Sequence, residues 1–147
     1  MIAAVSPQAD AAKVALLGHI TLFGNCSTRD LGRIARVTEE HEIAAGTVLI
    51  EQGQERDDVF VIIEGVARVE RDGREVARLT DGDVFGELAL LDPGPRTATI
   101  TADSPMFVLV LRAEQMRQVI RQSPEVAFAL LGAVARKLKG ALDTPFD

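Results

Sequence analysis

The sequence has very few of the residues that mark several common classes of protein. One of its 147 residues is cysteine (Cys26), two are histidine, and none is tryptophan or tyrosine. A single thiol cannot form an internal disulfide, so a secreted scaffold held by bridges is excluded. We interpret Cys26 as a small residue near a helix start. His19 and His41 are too few for the metal cluster of a cupin-like enzyme, and no serine or cysteine stands in a recognisable arrangement with histidine and acid. We therefore predict no metal site, no catalytic residues and no enzymatic activity.

An excess of basic charge is also lacking. The formal net charge is −6, whereas a nucleic-acid-binding protein takes most of its affinity from basic side chains. This sign still allows a small anionic ligand, because one buried arginine can serve it locally. No apolar run is long enough to span a bilayer, and no basic stretch precedes the first apolar residues as it would in a signal peptide. We expect a cytoplasmic protein with no nucleic-acid and no membrane partner.

The two ends of the chain have helical patterns. Residues 1–12 are interpreted as a loose lead-in, and helices are predicted between about 13 and 36. The first of these ends near Gly18, and the second is capped by Ser27 or Thr28, with Asp30 in its first turn. Two further helices are predicted between about 112 and 142. They are separated by Ser123-Pro124, which suits the start of a helix.

The middle of the chain, from about 38 to 111, is a series of short β-rich runs separated by glycines. Asp72-Gly73 links two such runs as a tight hairpin would. VFVIIEG predicts a strand covered on both faces, and VARVER a half-buried strand whose arginines face outwards. The candidate strands are 38–43, 47–51, 58–64, 66–71, 74–80, 98–102 and 105–111. Many short strands favour a barrel or jelly roll, whose closure removes exposed edges.

One segment, GDVFGELALLDPGPRTAT at 82–99, breaks the strand rhythm. Residues 87–91 favour a single helical turn, whose N-terminal amides suit an anion, and Gly86 allows a ligand close to the backbone. Arg96 offers a planar fork of donors for phosphate oxygens. Glu87 is unsuitable for phosphate but can accept a hydrogen bond from a sugar hydroxyl. The segment therefore predicts a nucleotide with an esterified phosphate and a free 2′-hydroxyl.

These residues resemble the phosphate-binding cassette of the cyclic nucleotide-binding domain family. Gly86-Glu87-Leu88-Ala89-Leu90 and Arg96-Thr97-Ala98 match its two halves, at a spacing similar to that in regulatory subunits of cyclic nucleotide-dependent protein kinases. The resemblance covers roughly residues 14–140. It implies an α+β fold in a single domain over 1–147: an eight-stranded antiparallel β-roll or jelly-roll barrel with N-terminal helices, a short cassette helix and two C-terminal helices.

The resemblance also implies roles for individual residues. Glu87 would accept a hydrogen bond from the ribose 2′-hydroxyl, and Arg96 would pair with the exocyclic phosphate oxygens. Backbone amides near Leu88, Ala89 and Thr97 would complete the phosphate shell. Thr97 can favour cyclic GMP by bonding the guanine amino group and is also compatible with cyclic AMP. The predicted binding site comprises Val69, Leu79, Phe85, Gly86, Glu87, Leu88, Ala89, Arg96, Thr97 and Ala98. No cofactor is expected beyond cyclic AMP or cyclic GMP as ligand.

The implied function is that of a ligand-responsive regulatory module. The cassette turn would move inwards around the phosphate, the C-terminal helices would shift, and a separate protein effector would read that shift. The last helix could also pair with a second copy. Leu138, Leu142, Phe146, Arg136 and Lys139 are candidates for a lid over the base.

Two alternatives to a ligand-responsive module stay open: a ligand-independent interaction module of the same fold, and a regulatory domain cut from a longer protein. The start at Met1 and the domain-sized length favour a stand-alone, bacterial-type member of the family. Because few residues follow Leu142, we expect no DNA-binding domain of the catabolite-activator type.

Overall fold

The N-terminal part of the chain contains more structure than its composition indicates. The computed structural model describes residues 2–4 and 10–142. Strand β1, Ile2–Ala4, pairs antiparallel with strand β2, Glu39–Ile43, and helix α1 covers Asp10–Gly18. The expectation of a loose lead-in over 1–12 is therefore wrong at both of its ends. A three-residue strand is too short to show alternation, and it forms because the edge of β2 offers unpaired amide and carbonyl groups.

Helix α2, Thr28–Val37, follows a 3₁₀ turn at Thr21–Phe23 and begins as predicted. The Ser27 hydroxyl accepts a hydrogen bond from the Asp30 amide at 3.1 Å, which satisfies one of the unpaired donors of the first turn. The buried face of α2 includes Leu31 and Ile34, so the cap and the apolar spacing both agree with the sequence.

The remaining strands are all paired antiparallel. They are β3 (Val48–Ile50), β4 (Asp58–Glu64), β5 (Ala67–Arg71), β6 (Arg74–Leu79), β7 (Val84–Phe85), β8 (Thr99–Ala102) and β9 (Met106–Arg112). One sheet has the order β1-β2-β9-β4-β7 and the other β3-β8-β5-β6. The jelly-roll fold with eight strands between 39 and 112 is confirmed. In the described part of the chain its two sheets are not joined into a closed barrel, and β7 is a strand too short for the sequence pattern to reveal.

The hairpin between β5 and β6 is formed as predicted. Asp72 and Gly73 have φ angles of 53° and 79°, and both central residues of a type I′ turn need positive φ. The pairing of the two strands shifts register between Val69 and Glu70. Because β6 is the last strand of the second sheet, the hairpin forms one end of that sheet.

Strand β4 separates two hydrophobic clusters. Val59 and Val61 belong to a cluster shared with the helices, which we call the helix-side core, and Phe60 and Ile62 to a cluster between the sheets, the inter-sheet core. Successive side chains of a strand point to opposite faces, so β4 is covered on both, as predicted. The helix-side core also contains Leu17, Phe23, Ile34, Leu109, Leu111, Met116 and Val126. The inter-sheet core also contains Ile43, Ile50, Phe85, Ile100 and Val108.

The C-terminal helices are α4, Ala113–Gln122, and α5, Glu125–Leu142. Met116 and Val119 of α4 are buried against the helix-side core, which confirms the predicted apolar face. The break between the helices lies at Ser123-Pro124, where the Ser123 carbonyl accepts from the Val126 amide at 3.0 Å. None of the helices in the described ranges is long and apolar enough to cross a membrane.

Candidate functional site

The predicted single turn of helix between two strands is present as α3, Leu88–Leu91, which follows β7. The Ala89 amide donates to the Gly86 carbonyl at 3.3 Å and the Leu90 amide to the Glu87 carbonyl at 3.1 Å. The turn thus starts at Gly86, whose φ of +85° a side chain would strain.

A cavity of about 510 Å³ opens beside this turn, at the end of the inter-sheet core. That volume lies in the usual range for small-molecule sites. The structure brings nine of the ten predicted site residues to its wall: Val69, Leu79, Phe85, Gly86, Glu87, Ala89, Arg96, Thr97 and Ala98. For the tenth, Leu88, the side chain lies outside what the structure describes. The contacts that these residues make with a ligand stay a prediction.

Arg96 points into the protein. Its exposed fraction is 9%. Nη2 donates to the Asp58 carbonyl at 2.7 Å and Nη1 to the Gly86 carbonyl at 3.3 Å. Nε is buried and has no hydrogen-bond partner among the described residues. A guanidinium carries five N–H donors, so three of them have no protein partner among the described residues.

Burial also affects the charge of Arg96. Desolvation lowers the pKa of its guanidinium from the ordinary value, while the carboxylates of Asp58 and Asp57 oppose this shift. An arginine keeps its proton at neutral pH even so. The wall of the cavity therefore carries a partly desolvated positive charge, which favours an anion.

Glycine is required at position 86 by close packing as well as by its backbone angle. A Cβ atom there would lie 2.5 Å from the Asp58 carbonyl oxygen and 3.1 Å from Nη1 of Arg96. Any side chain would displace the guanidinium or the β4 backbone. The cassette turn and Arg96 can therefore pack this closely only because residue 86 has no Cβ atom.

The backbone of Arg96 is held by a turn that precedes β4. The Arg96 amide donates to the Gln54 carbonyl at 2.8 Å, and the Gly53 amide donates to the Arg96 carbonyl at 2.9 Å. This reciprocal pair fixes Arg96 before β8 begins.

One cavity residue was missed by the sequence analysis. The arginines of β5 were expected to face outwards, which holds for Arg68, whose guanidinium pairs with Glu70 and Asp103, but is wrong for Arg71. The Arg71 side chain lines the cavity, and its Nε donates to the Thr97 carbonyl at 3.2 Å. Residues two apart on a strand share a face, so Arg71 lies on the side of Val69. The alternation of side chains along β5 was therefore the sequence signal that could have predicted the position of Arg71.

Glu87 lies between two cavities. It lines the large cavity and also a smaller one of about 130 Å³ on the other side of α3. The wall of the smaller cavity is mostly aliphatic and includes Leu90, Ile120, Leu130 and Val134. The cassette turn thus separates the predicted binding site from the C-terminal helices.

Within the described ranges no residue of α5 lines the large cavity, so Arg136, Leu138 and Lys139 do not reach its wall. Arg136 instead donates to the side-chain oxygen of Asn25 at 3.0 and 3.1 Å, with the amide oriented so that its oxygen accepts. The side chain of Leu142 and all of Phe146 lie outside the described residues.

The fold and the cassette define a class of protein. The family model described as cyclic nucleotide-binding domain matches residues 40–123. The chain belongs to this family.

Individual relatives agree with that assignment. The chain is similar to a cAMP-dependent protein kinase regulatory subunit of Mycosarcoma maydis, with 39% identity over 81% of this chain and 22% of that protein. It is also similar to cGMP-dependent protein kinase, isozyme 1, of Drosophila melanogaster, with 35% identity over 85% of this chain and 17% of that protein. The crystal structure of the N-terminal domain of a transcriptional regulator from Streptomyces coelicolor A3(2) matches with a TM-score of 0.74 and 35% identity, covering 90% of this chain and 95% of that one.

The chain is short beside the curated relatives that it matches. It spans as much as 58% and as little as 15% of the length of individual relatives. The activities of those whole proteins are therefore not carried over with the domain.

Proposed function

We propose that the large cavity binds a cyclic nucleotide with its phosphate on Arg96. The observation that carries this proposal is the buried Nε of Arg96, an ionised group with no partner in the described part of the chain. A buried donor without a partner costs on the order of 1–3 kcal/mol, and more when it is charged. A phosphate oxygen would accept this hydrogen bond and the remaining Nη hydrogens, and so remove that cost.

The rest of the cavity wall supports a sugar and a base. Glu87 places a carboxylate at the wall, which can accept a hydrogen bond from the ribose 2′-hydroxyl. Val69 and Leu79 are partly buried and present apolar surface on the hairpin side. A flat heterocycle would cover that surface while the phosphate stays at Arg96.

We propose further that the site prefers guanine to adenine. Arg71 lines the cavity beside Thr97, and the described residues provide a partner for its Nε only. Guanine presents two acceptors, O6 and N7, which an arginine fork matches, whereas adenine presents a donor amino group at the corresponding position. The Thr97 hydroxyl would bond the guanine amino group. We expect cyclic GMP to bind more tightly than cyclic AMP, and Arg71→Ala to narrow that difference.

The domain would act as a regulatory module rather than as an enzyme. The aliphatic cavity beside Leu90 offers space for the cassette turn to move against α4 and α5. A ligand shifts such an equilibrium only through different affinities for the two positions. We propose that a separate protein effector in the cytoplasm reads the position of these helices, with no cofactor beyond the nucleotide and no nucleic-acid or membrane partner. Distances between spin labels on α5 and β4, measured with and without nucleotide, should differ, and identical distances would contradict this switch.

We also propose that α5 pairs with a second copy of the chain. Phe128, Leu131 and Leu138 are exposed by 76%, 51% and 59%, and their spacings of three and seven residues place them on one helical face. Sedimentation velocity should show a dimer that Leu131→Glu converts to monomer. Val76→Glu, on an exposed valine of β6, is the control and should leave the dimer intact.

Calorimetric titration tests the binding site. The wild-type chain should bind cyclic GMP and cyclic AMP and should bind the corresponding non-cyclic 5′-monophosphates much more weakly. Arg96→Lys keeps the charge but loses the fork, so we expect at least a roughly tenfold loss of affinity. Glu87→Ala should lower the affinity for cyclic ribonucleotides towards the affinity for their 2′-deoxy counterparts. Arg36→Lys on α2 is the matched control. If Arg96→Lys and Glu87→Ala both bind like wild type, the assignment is wrong.

Thermal unfolding separates this function from a ligand-independent interaction module. A nucleotide at about 100 times its Kd stabilises the folded chain by about 2.7 kcal/mol. For a chain of this length that corresponds to a Tm increase of roughly 5–10 °C. The absence of any shift with saturating cyclic AMP or cyclic GMP would favour the alternative.

A further inference from the structure

Gln52 lies outside the cavity but connects two of its walls. Its side-chain nitrogen Nε2 donates to Oδ1 of Asp72 at 2.9 Å, and its Oε1 accepts from the Asp72 backbone amide at 3.0 Å. Asp72 is the tip of the β5–β6 hairpin and the only residue in the described ranges, other than glycine, with positive φ. The two bonds form a reciprocal pair, which we call the Gln52–Asp72 clamp.

The clamp joins the hairpin to the segment that holds Arg96. The Gln52 amide donates to the hydroxyl of Thr99 at 3.0 Å. The next two residues, Gly53 and Gln54, make the reciprocal backbone pair with Arg96 described above. Hydrogen bonds therefore connect Asp72 at the hairpin tip to Gln52, and Gln52 to Thr99. The two residues that follow Gln52 bond the backbone of Arg96.

We infer that Gln52 is a positioning residue for nucleotide binding, acting through Arg96 and the hairpin; this inference rests on the proposed function. The hairpin carries the base wall, with Val69, Arg71 and Leu79, and the 52–54 turn carries the backbone partners of Arg96. The clamp sets the distance between the hairpin and the 52–54 turn. The base can then contact the hairpin while the phosphate contacts Arg96.

The exposure of the clamp supports a positioning role over a purely structural one. Gln52 and Asp72 are both exposed, so neither side chain fills the core or satisfies a buried group. Ordering two exposed side chains costs conformational entropy, and water can replace each bond when the partner is lost. Loss of the clamp should therefore change ligand binding far more than it changes the stability of the fold.

Gln52→Ala removes the clamp, and Gln54→Ala is the matched control. Gln54 is the same residue type in the same turn, and among the described residues its side chain makes no hydrogen bond, while its carbonyl still accepts from Arg96. We expect Gln52→Ala to weaken cyclic nucleotide binding roughly three- to tenfold, as two exposed hydrogen bonds allow. Its Tm should stay within about 2 °C of wild type. Gln54→Ala should leave both quantities unchanged.

A double-mutant cycle distinguishes positioning from general loosening. When Arg96→Lys has already removed the fork, Gln52→Ala should cost clearly less affinity than it does in the wild type, because one of the two groups that it positions is gone. Additive losses would show that Gln52 acts independently of Arg96 and would overturn the inference. Asp72→Asn keeps the Oδ1 acceptor, the backbone amide and tolerance of positive φ, and should bind close to wild type. Gln52→Glu keeps the acceptor but loses the donor, and replaces Gln52→Ala if that variant does not fold.

Amide hydrogen exchange gives a readout without ligand. In the nucleotide-free protein, Gln52→Ala should speed exchange at the amides of Gly53 and Arg96, and Gln54→Ala should not. If wild type binds no cyclic nucleotide but the exchange rates differ in this way, the proposed function fails while the connection from Gln52 to Arg96 stands. If wild type binds and Gln52→Ala changes neither affinity nor exchange, the inference fails and the proposed function is untouched.

Discussion

The two hydrophobic cores on either side of β4 differ in how they end. The centre of the helix-side core is closed by the chain itself, with Leu17, Val61, Leu109 and Met116 all fully buried, and only its edge meets the smaller aliphatic cavity. The inter-sheet core runs into the cavity, where Val69 and Leu79 pack against it but stay partly exposed. The apolar surface that stays exposed around the cavity contributes no hydrophobic stabilisation. A bound base would bury that surface. We therefore expect the helix-side core to serve stability and the proposed ligand to complete the inter-sheet core.

The largest expected effect comes from opening the closed core. Leu109→Ala removes a fully buried side chain of the helix-side core, so the free energy of unfolding should fall by about 3 kcal/mol. Thermal unfolding should show a Tm lower by roughly 6–12 °C. The further Tm increase on adding nucleotide should equal that of wild type. A loss of that increase would show that the two cores are not independent.

A second change acts where the cassette turn meets Arg96. Gly86→Ala should destabilise the chain by about 1–3 kcal/mol through its positive φ and its close contacts, and should abolish nucleotide binding by displacing the guanidinium. Gly46→Ala is the matched control, because Gly46 has a φ of +89° with nothing within 4 Å of its Cβ position. It should be destabilised by the strain alone and bind normally. Equal binding by the two variants would contradict the role of close packing at Gly86.

A smaller effect is expected at the open end of the inter-sheet core. Val69→Ala shortens a half-buried side chain, so the free energy of unfolding should fall by about 1 kcal/mol or less, and affinity should fall roughly fivefold. Titration and thermal unfolding measure the two effects. Val76→Ala, at the exposed valine on β6, should change neither. If Val69→Ala lowers stability without lowering affinity, the apolar surface on the hairpin does not contact the base.

The smallest effect concerns the rim of the helix-side core, where Cys26 packs. Burial, and secondarily the carboxylate of Asp30, raises the pKa of its thiol from 9.0 to about 11. A raised pKa means less thiolate at neutral pH, so alkylation by iodoacetamide should be slow at pH 8 and accelerate only towards pH 11. The urea-unfolded chain should react faster at pH 8. Equal rates in the folded and unfolded states would show that this rim is open.

Several features were predictable because they depend on residues close together in the chain. The Ser27 cap, the Asp72-Gly73 hairpin, the buried run of β4 and the helical turn after Gly86 all follow from local spacing and backbone preference. The inward orientation of Arg71 was predictable from strand parity with Val69, although the sequence analysis placed it outside. Strands β1 and β7 were missed because two or three residues show no period. Their existence depends on the neighbouring strand edge.

The chemistry of the site could be predicted from its residue types. They are a glycine before a helical turn, a carboxylate directly after that glycine, and an arginine ten positions after the glycine. Those types define which groups a ligand needs, since donors and acceptors belong to the side chains themselves. Their partners could not be read in the same way. The Asp58 carbonyl meets Arg96 from 38 positions away, and Gln52 meets Asp72 across 20. Such pairs form only when the sheets pack, because burial and long-range hydrogen bonds depend on the arrangement of the whole chain and not on any local window.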